Sequence, residues 1–122
     1  MSDSKLGTVL SGMRPTGELH IGHFEGVLRN CVEFQEQYDC FYFVADWHAL
    51  TTDLDTTNLK KYTIEMVKDW LAFGIDPNKS TVFVQSYVPE HTELGVALER
   101  LINIGALERV PTFKAHLEHL AG

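Results

Sequence analysis

The chain has 122 residues, 44% hydrophobic and 22% charged, enough for one globular domain and unlike a collagen or a disordered tail. Ten Lys and Arg against seventeen Asp and Glu give a formal net charge of −7. This excludes a generally basic nucleic-acid coat or a polybasic membrane binder, and leaves a local basic patch open. Two cysteines, Cys31 and Cys40, are too few for a disulfide scaffold and read as buried reduced thiols of a cytoplasmic protein. No apolar run approaches the roughly 20 residues of a membrane span. Met1-Ser2-Asp3-Ser4-Lys5 lacks the apolar core of a signal peptide.

Gly7 to Ser11, closed by Gly12, predicts a short buried strand. Phe24, Val27, Leu28, Cys31, Phe34 and Tyr38 recur at helical spacing and predict a helix over Ile21 to Tyr38. Cys40 to Ala45 is continuously apolar, which suits a central parallel strand buried on both faces. The polar stretch Thr51 to Asn58 can cap the next helix, predicted over Leu59 to Phe73, with Leu59, Tyr62, Met66, Trp70 and Phe73 facing inward. Gly74 suits the position just past that helix, and Asp76-Pro77 prevents continuation. Thr81 to Gln85 predicts a third strand. Pro89 opens a third helix with Leu94, Ala97, Leu98, Leu101 and Ile104 inward. Pro111 breaks the chain, and Thr112 caps a short last helix to Leu120.

The order β-α-β-α-β-α-α predicts one α/β domain over residues 1–122, a parallel sheet with right-handed helical crossovers. Ligands in such sheets bind beyond the carboxyl ends of the strands, near a topological switch point. The loops Gly12 to His20, Asp46 to Asp53 and Ser86 to His91 therefore carry the functional expectation. Three strands are few for a doubly wound domain, and the sequence stops directly after an amphipathic helix. Both features lead us to expect a piece of something longer.

Met13-Arg14-Pro15-Thr16-Gly17-Glu18-Leu19-His20-Ile21-Gly22-His23 joins the first strand to the first helix. Pro15 fixes φ and Gly17 permits positive φ, so the loop can turn sharply over the strand end. His20 precedes the helix and His23 lies in its first turn, where unpaired N–H groups and a partial positive charge suit phosphate. Two imidazoles at this spacing can donate to one anion, and Gly22, without a β-carbon, lets a flat base approach. Capping or surface chemistry fits the same pair. A metal pair would need His48, His91, His116 or His119, but no metal-type spacing links them, and no metal site is predicted.

The run Pro15-Thr16-Gly17-Glu18-Leu19-His20-Ile21-Gly22-His23 resembles the HIGH signature of class I aminoacyl-tRNA synthetases, in its expected place between first strand and first helix. Ser11 to Gly17, Ala45 to Thr51, Gly74 to Pro77, Phe83 to His91 and Leu107 to Lys114 are similar to the tryptophanyl-tRNA synthetase family. The resemblance runs from Gly7 to Leu120 and covers the N-terminal part of that family's Rossmann-like (HUP-type) catalytic domain. It implies ATP-dependent activation of L-tryptophan to tryptophanyl-adenylate, transfer to tRNA(Trp), a cytoplasmic homodimer, and Mg²⁺ entering with ATP rather than in a protein cage.

The resemblance places ATP against Arg14, Pro15, Thr16, Gly17, His20, Gly22 and His23, with His20 and His23 as the catalytic pair. It places tryptophan against Leu10, Gly12 and His48, and gives Lys114 a phosphate contact. Many relatives carry Gln where Arg14 stands; Arg could meet either phosphate or the substrate carboxylate. Asp46 could orient a neighbour or cap its own loop. Pro89 to Gly105 resembles the segment near the family's dimer interface. The lysine-rich KMSKS loop, the helix that recognises the indole N–H and the anticodon-binding domain are absent, so the chain alone is expected to bind ATP weakly and charge little tRNA. A non-catalytic synthetase-derived binding or dimerisation module, a tyrosyl-type fragment and a generic nucleotidyltransferase domain are the competing readings.

Overall fold

The computed structural model describes residues 5–52 and 54–121, without the side chains of 116 and 118–121. Contacts divide the chain into two compact units, Met1–Val88 and Pro89–Gly122. The first holds β1 (Thr8–Met13), α1 (Ile21–His23), a π-helical turn (Phe24–Leu28), α2 (Arg29–Phe34), β2 (Asp39–Val44), α3 (Asp46–Ala49), α4 (Leu59–Phe73), β3 (Ser80–Val84) and a 3₁₀ turn (Gln85–Tyr87).

The three strands pair in parallel in the order β1-β2-β3. Gly12 stands opposite Phe43, and Phe43 opposite Phe83. Alternation then decides everything about the sheet's two faces. Cys40, Tyr42 and Val44 pack against Leu28, Cys31, Met66, Trp70 and Ile75 in the core, joined by Val9, Met13, Val82 and Val84. Both helical connections therefore cover the same face, as right-handed crossovers along a sequential strand order require. The other face carries Leu10, 65% exposed, and Phe41, 38% exposed. The expectation of a β2 buried on both sides is corrected here. The strand is central, but its apolar run is two alternating sets, one covered and one open. Nor does the order reverse among the described strands, so the expected switch point is not present in them.

Two buried polar side chains of this core, Tyr42 and Gln35, are tied to the backbone, which offsets their desolvation. Tyr42 Oη donates to the Cys31 carbonyl at 2.8 Å. Gln35 Nε2 donates to the Gly74 carbonyl at 2.8 Å, and its Oε1 accepts from the Asp76 N–H at 2.9 Å and the Ser80 hydroxyl at 3.3 Å. One side chain at the end of α2 thus holds the turn that launches β3. Burial raises the Cys31 thiol pKa above its ordinary value, which fits an inert structural cysteine.

Several boundaries move for physical reasons. β1 continues through Gly12 to Met13 because the β1–β2 pairing runs to the Met13–Val44 register. The predicted first helix is continuous from Ile21 but widens into the π-helical turn and ends at Phe34. Leu28 and Cys31 are buried, while Phe34, the last residue of α2, is 41% exposed. Tyr38 lies past the helix end, edge-on to Phe34. α4 occupies its predicted span. Gly74 closes it in the left-handed conformation at φ 109°, where a side chain would strain. Met66 and Trp70 are buried as expected, while Phe73 is 41% exposed and its ring lies tilted against that of Phe24, centroids 4.9 Å apart. Asn58 occupies the N-cap without a side-chain bond; Asp55 instead takes the Thr57 N–H at 2.9 Å. β3 begins at Ser80, and Gln85 leaves it for the 3₁₀ turn.

The second unit contains α5 (Glu90–Glu99), α6 (Ile104–Leu107) and α7 (Pro111–Ala121). Its predicted single inward face is corrected. α5 ends before Leu101, and Asn103 caps α6 by accepting the Ala106 N–H at 2.8 Å. Leu94, Leu98, Leu101 and Ile104 are all exposed. Pro111 starts α7 rather than breaking the chain, because a missing N–H costs nothing in the first turn. No described helix is long and apolar enough to cross a membrane.

Candidate functional site

At the carboxyl end of the sheet, β1 and β2 leave together, with the Ala45 N–H bonded to the Met13 carbonyl at 2.8 Å. The chain then bends at Pro15, whose side chain is fully buried, and the Thr16 N–H reaches back to the Arg14 carbonyl at 2.9 Å. Gly17 is not among the glycines with positive φ. The sharp turn expected of Gly17 is therefore made by the ring-locked φ of Pro15. Arg14 Nη1 donates to Thr52 Oγ1 at 3.3 Å, linking the loop after β1 to the loop after α3. A cleft of about 190 Å³ opens beside Pro15 and Thr16, with Asn58 and Tyr62 on its far wall.

His20 is the N-cap of the helix, and the two histidines build a reciprocal capping box. His20 Nδ1 accepts the Gly22 N–H at 3.1 Å, and His23 Nδ1 accepts the His20 N–H at 3.2 Å. A ring nitrogen that accepts an N–H must hold a lone pair. Each neutral ring therefore carries its proton on Nε2, and this is the donor it presents outward. The rings lie side by side, centroids 4.0 Å apart. A β-carbon on Gly22 would meet His20 Cε1 at 2.9 Å, so the bare glycine is what lets the His20 ring fold back over the helix start. The first-turn amides of Gly22 and His23 are already bonded inside the protein, which corrects the expectation that unpaired N–H groups await a ligand here. The side-chain donors left at this helix start are the imidazole Nε2–H groups.

The residues assigned to tryptophan lie on β1 and α3. Leu10 and Gly12 share the open face of the sheet. The Phe43 ring leans over Gly12 so closely that a β-carbon there would sit 2.4 Å from its Cζ, and Phe43 stacks on Phe83 with centroids 5.4 Å apart. His48 is exposed in α3, its N–H donated to Gln85 Oε1 at 3.3 Å. Asp46 Oδ1 accepts the N–H groups of Trp47 and Ser86, both at 3.0 Å. The sequence reading missed Thr52 and Gln85. Gln85 lies within the run Phe83 to His91 and Thr52 in the loop Asp46 to Asp53, but only their long-range partners give them a part in the site.

Lys114 belongs to α7 in the second unit, where it is exposed and its N–H bonds the Val110 carbonyl at 3.2 Å. His91 opens α5 in that unit. The side chains of His116 and His119, like Asp53, lie outside the described residues. Among the described residues no three His, Cys, Asp or Glu side chains gather as metal ligands would.

The family model described as tRNA synthetases class I (W and Y) matches residues 3–121. The chain is 55% identical over 113 residues to a tryptophan–tRNA ligase of Ralstonia nicotianae, covering 92% of this chain and 28% of the relative. It is 57% identical over 108 residues to a tryptophan–tRNA ligase of Thermotoga maritima, covering 87% of this chain and 33% of the relative. The crystal structure of tryptophanyl-tRNA synthetase from Campylobacter jejuni complexed with ADP and tryptophan superimposes with a TM-score of 0.83 at 35% identity, over 93% of this chain and 35% of that one. The chain thus spans about a third of the length of the relatives it matches.

Proposed function

Because this chain belongs to the class I tRNA synthetases of the tryptophan and tyrosine branch, we propose that it supplies the ATP-binding part of a tryptophan–tRNA ligase. In that reaction the tryptophan carboxylate attacks the α-phosphate of ATP. Pyrophosphate leaves, and the acyl group of the adenylate passes to the terminal ribose of tRNA(Trp). The working form in this reading is a cytoplasmic homodimer. The chemistry asks for no protein nucleophile, only for positioning and for donors where phosphate charge grows.

The observation that carries this reading is the histidine capping box. His20 and His23 offer two Nε2–H donors side by side, with tautomers set by the backbone rather than by the ligand. In the proposal they face the triphosphate, while Pro15, Thr16 and Gly17 border the nucleotide and Gly22 leaves room for it. Arg14 reaches a phosphate or the substrate carboxylate, and Lys114 a phosphate. Leu10, Gly12 and His48 take the tryptophan. Mg²⁺ would enter with ATP, be held by phosphate oxygens and neutralise their charge.

Titrating ATP into the chain while following the imidazole signals by NMR tests the reading. His20 and His23 should shift together, and Gly22→Ala, which pushes the His20 ring aside, should weaken binding at least ~10-fold, the worth of about one charge-assisted hydrogen bond. Nucleotide-induced shifts confined to other residues would sink it.

A further inference from the structure

We propose that Asp46 and Gln85 are positioning residues for the amino-acid side of the site. They clasp the loop after β2 to the loop after β3 and so set His48. The inference rests on the reading of His48 as a tryptophan contact.

The clasp is reciprocal. Asp46, from the loop after β2, accepts the Ser86 N–H at 3.0 Å; Gln85, from the turn after β3, accepts the His48 N–H at 3.3 Å. The same Asp46 oxygen also accepts the Trp47 N–H at 3.0 Å. The reason lies in the length of α3. A helix of four residues has no earlier turn to receive the amides of its first residues, and one turn is too short to hold itself. Trp47 and His48 therefore depend on side-chain acceptors, and one of these comes from 37 residues downstream.

The His48 carbonyl is engaged as well, by the Thr51 hydroxyl at 2.8 Å and the Thr51 N–H at 3.2 Å. Both backbone groups of His48 are thus fixed while its side chain stands exposed. The backbone sets where the His48 side chain leaves the chain, and the clasp helps to hold that backbone. Asp46 and Gln85 are themselves only half-exposed, where a hydrogen bond gains strength from reduced solvation.

The test titrates L-tryptophan and ATP separately into the whole chain and into Asp46→Ala, Gln85→Ala, Asp46→Asn and Gln85→Glu, with amide exchange followed at Ser86 and His48. We expect Asp46→Ala and Gln85→Ala to speed exchange at the released amide. They should weaken tryptophan binding ~10-fold, as loss of one hydrogen-bond acceptor implies, and leave the ATP response of His20 and His23 within about twofold. Asp46→Asn and Gln85→Glu keep an acceptor oxygen and should recover tryptophan binding to within ~3-fold. Unchanged tryptophan binding in both alanine variants overturns the clasp and leaves the reading of His48 standing. Equal loss of ATP and tryptophan marks a general prop of the fold and overturns it too. A wild-type chain whose His48 does not respond to tryptophan removes the reading itself and the positioning role with it. If Asp46→Ala fails to fold, the pair Gln85→Ala and Gln85→Glu decides alone.

Discussion

The two faces of the sheet differ more than their sequences suggest. On the covered face, Cys40, Tyr42 and Val44 are at most 2% exposed and lie under α2 and α4. On the open face, Leu10 and Phe41 are well exposed, and Phe43 and Phe83 stack on one another beside the bare Gly12. Both sets are apolar and both come from the same three strands. An apolar strand therefore reports that two faces can be buried; the direction of the crossovers reports which one is. The covered face supplies stability, while the open face and the loops at its end carry every residue assigned to tryptophan.

Paired substitutions sharpen the contrast. Trp70→Ala on the covered side should cost about 3–5 kcal/mol, as a large buried aromatic does, whereas Leu10→Ala on the open side should stay within about 0.5 kcal/mol. Urea unfolding of both reads the difference, and equal losses would erase the distinction between the faces. Trp70→Phe should cost clearly less than Trp70→Ala, because the Trp70 Nε1 donor has no partner among the described residues and its removal loses no bond. Next in size, Tyr42→Phe should lose about 1 kcal/mol by removing one of two donors to the Cys31 carbonyl, which keeps the Gln35 N–H at 3.2 Å, seen as a lower Tm.

The smallest effect belongs to a turn that serves neither face. The Asn78 backbone amide, and then its side-chain amide, hold the Asp76 carboxyl below its ordinary pKa of 3.8. A lowered folded pKa stabilises above the ordinary value and is lost as pH falls through the folded one. Asp76→Asn should therefore flatten the decline of Tm below about pH 4; an unchanged slope would remove Asp76 from the acid response. Solvent still reaches the half-exposed Asp76, so the change should be slight.

Much of this protein was legible because the deciding forces are local. The spacing of Met66 and Trp70, the left-handed Gly74 and the helix that begins after His20 all follow from dihedral preference and periodicity, which neighbours in sequence settle between themselves. The histidine pair in its loop was legible for the same reason, down to its place at the helix start. What stayed hidden depends on residues that meet only after folding. The π-helical turn and the one-sided burial of β2 each turn on packing. The two Nε2–H tautomers and the pairing of Asp46 with Ser86 and of Gln85 with His48 turn on hydrogen-bond partners. The sequence alone determined that a parallel α/β sheet would present a paired-histidine loop at its carboxyl end. Tertiary structure decided which face is covered and how each site group is held, because a buried amide or ring takes whatever partner the fold brings to it, and spacing along the chain does not encode that partner.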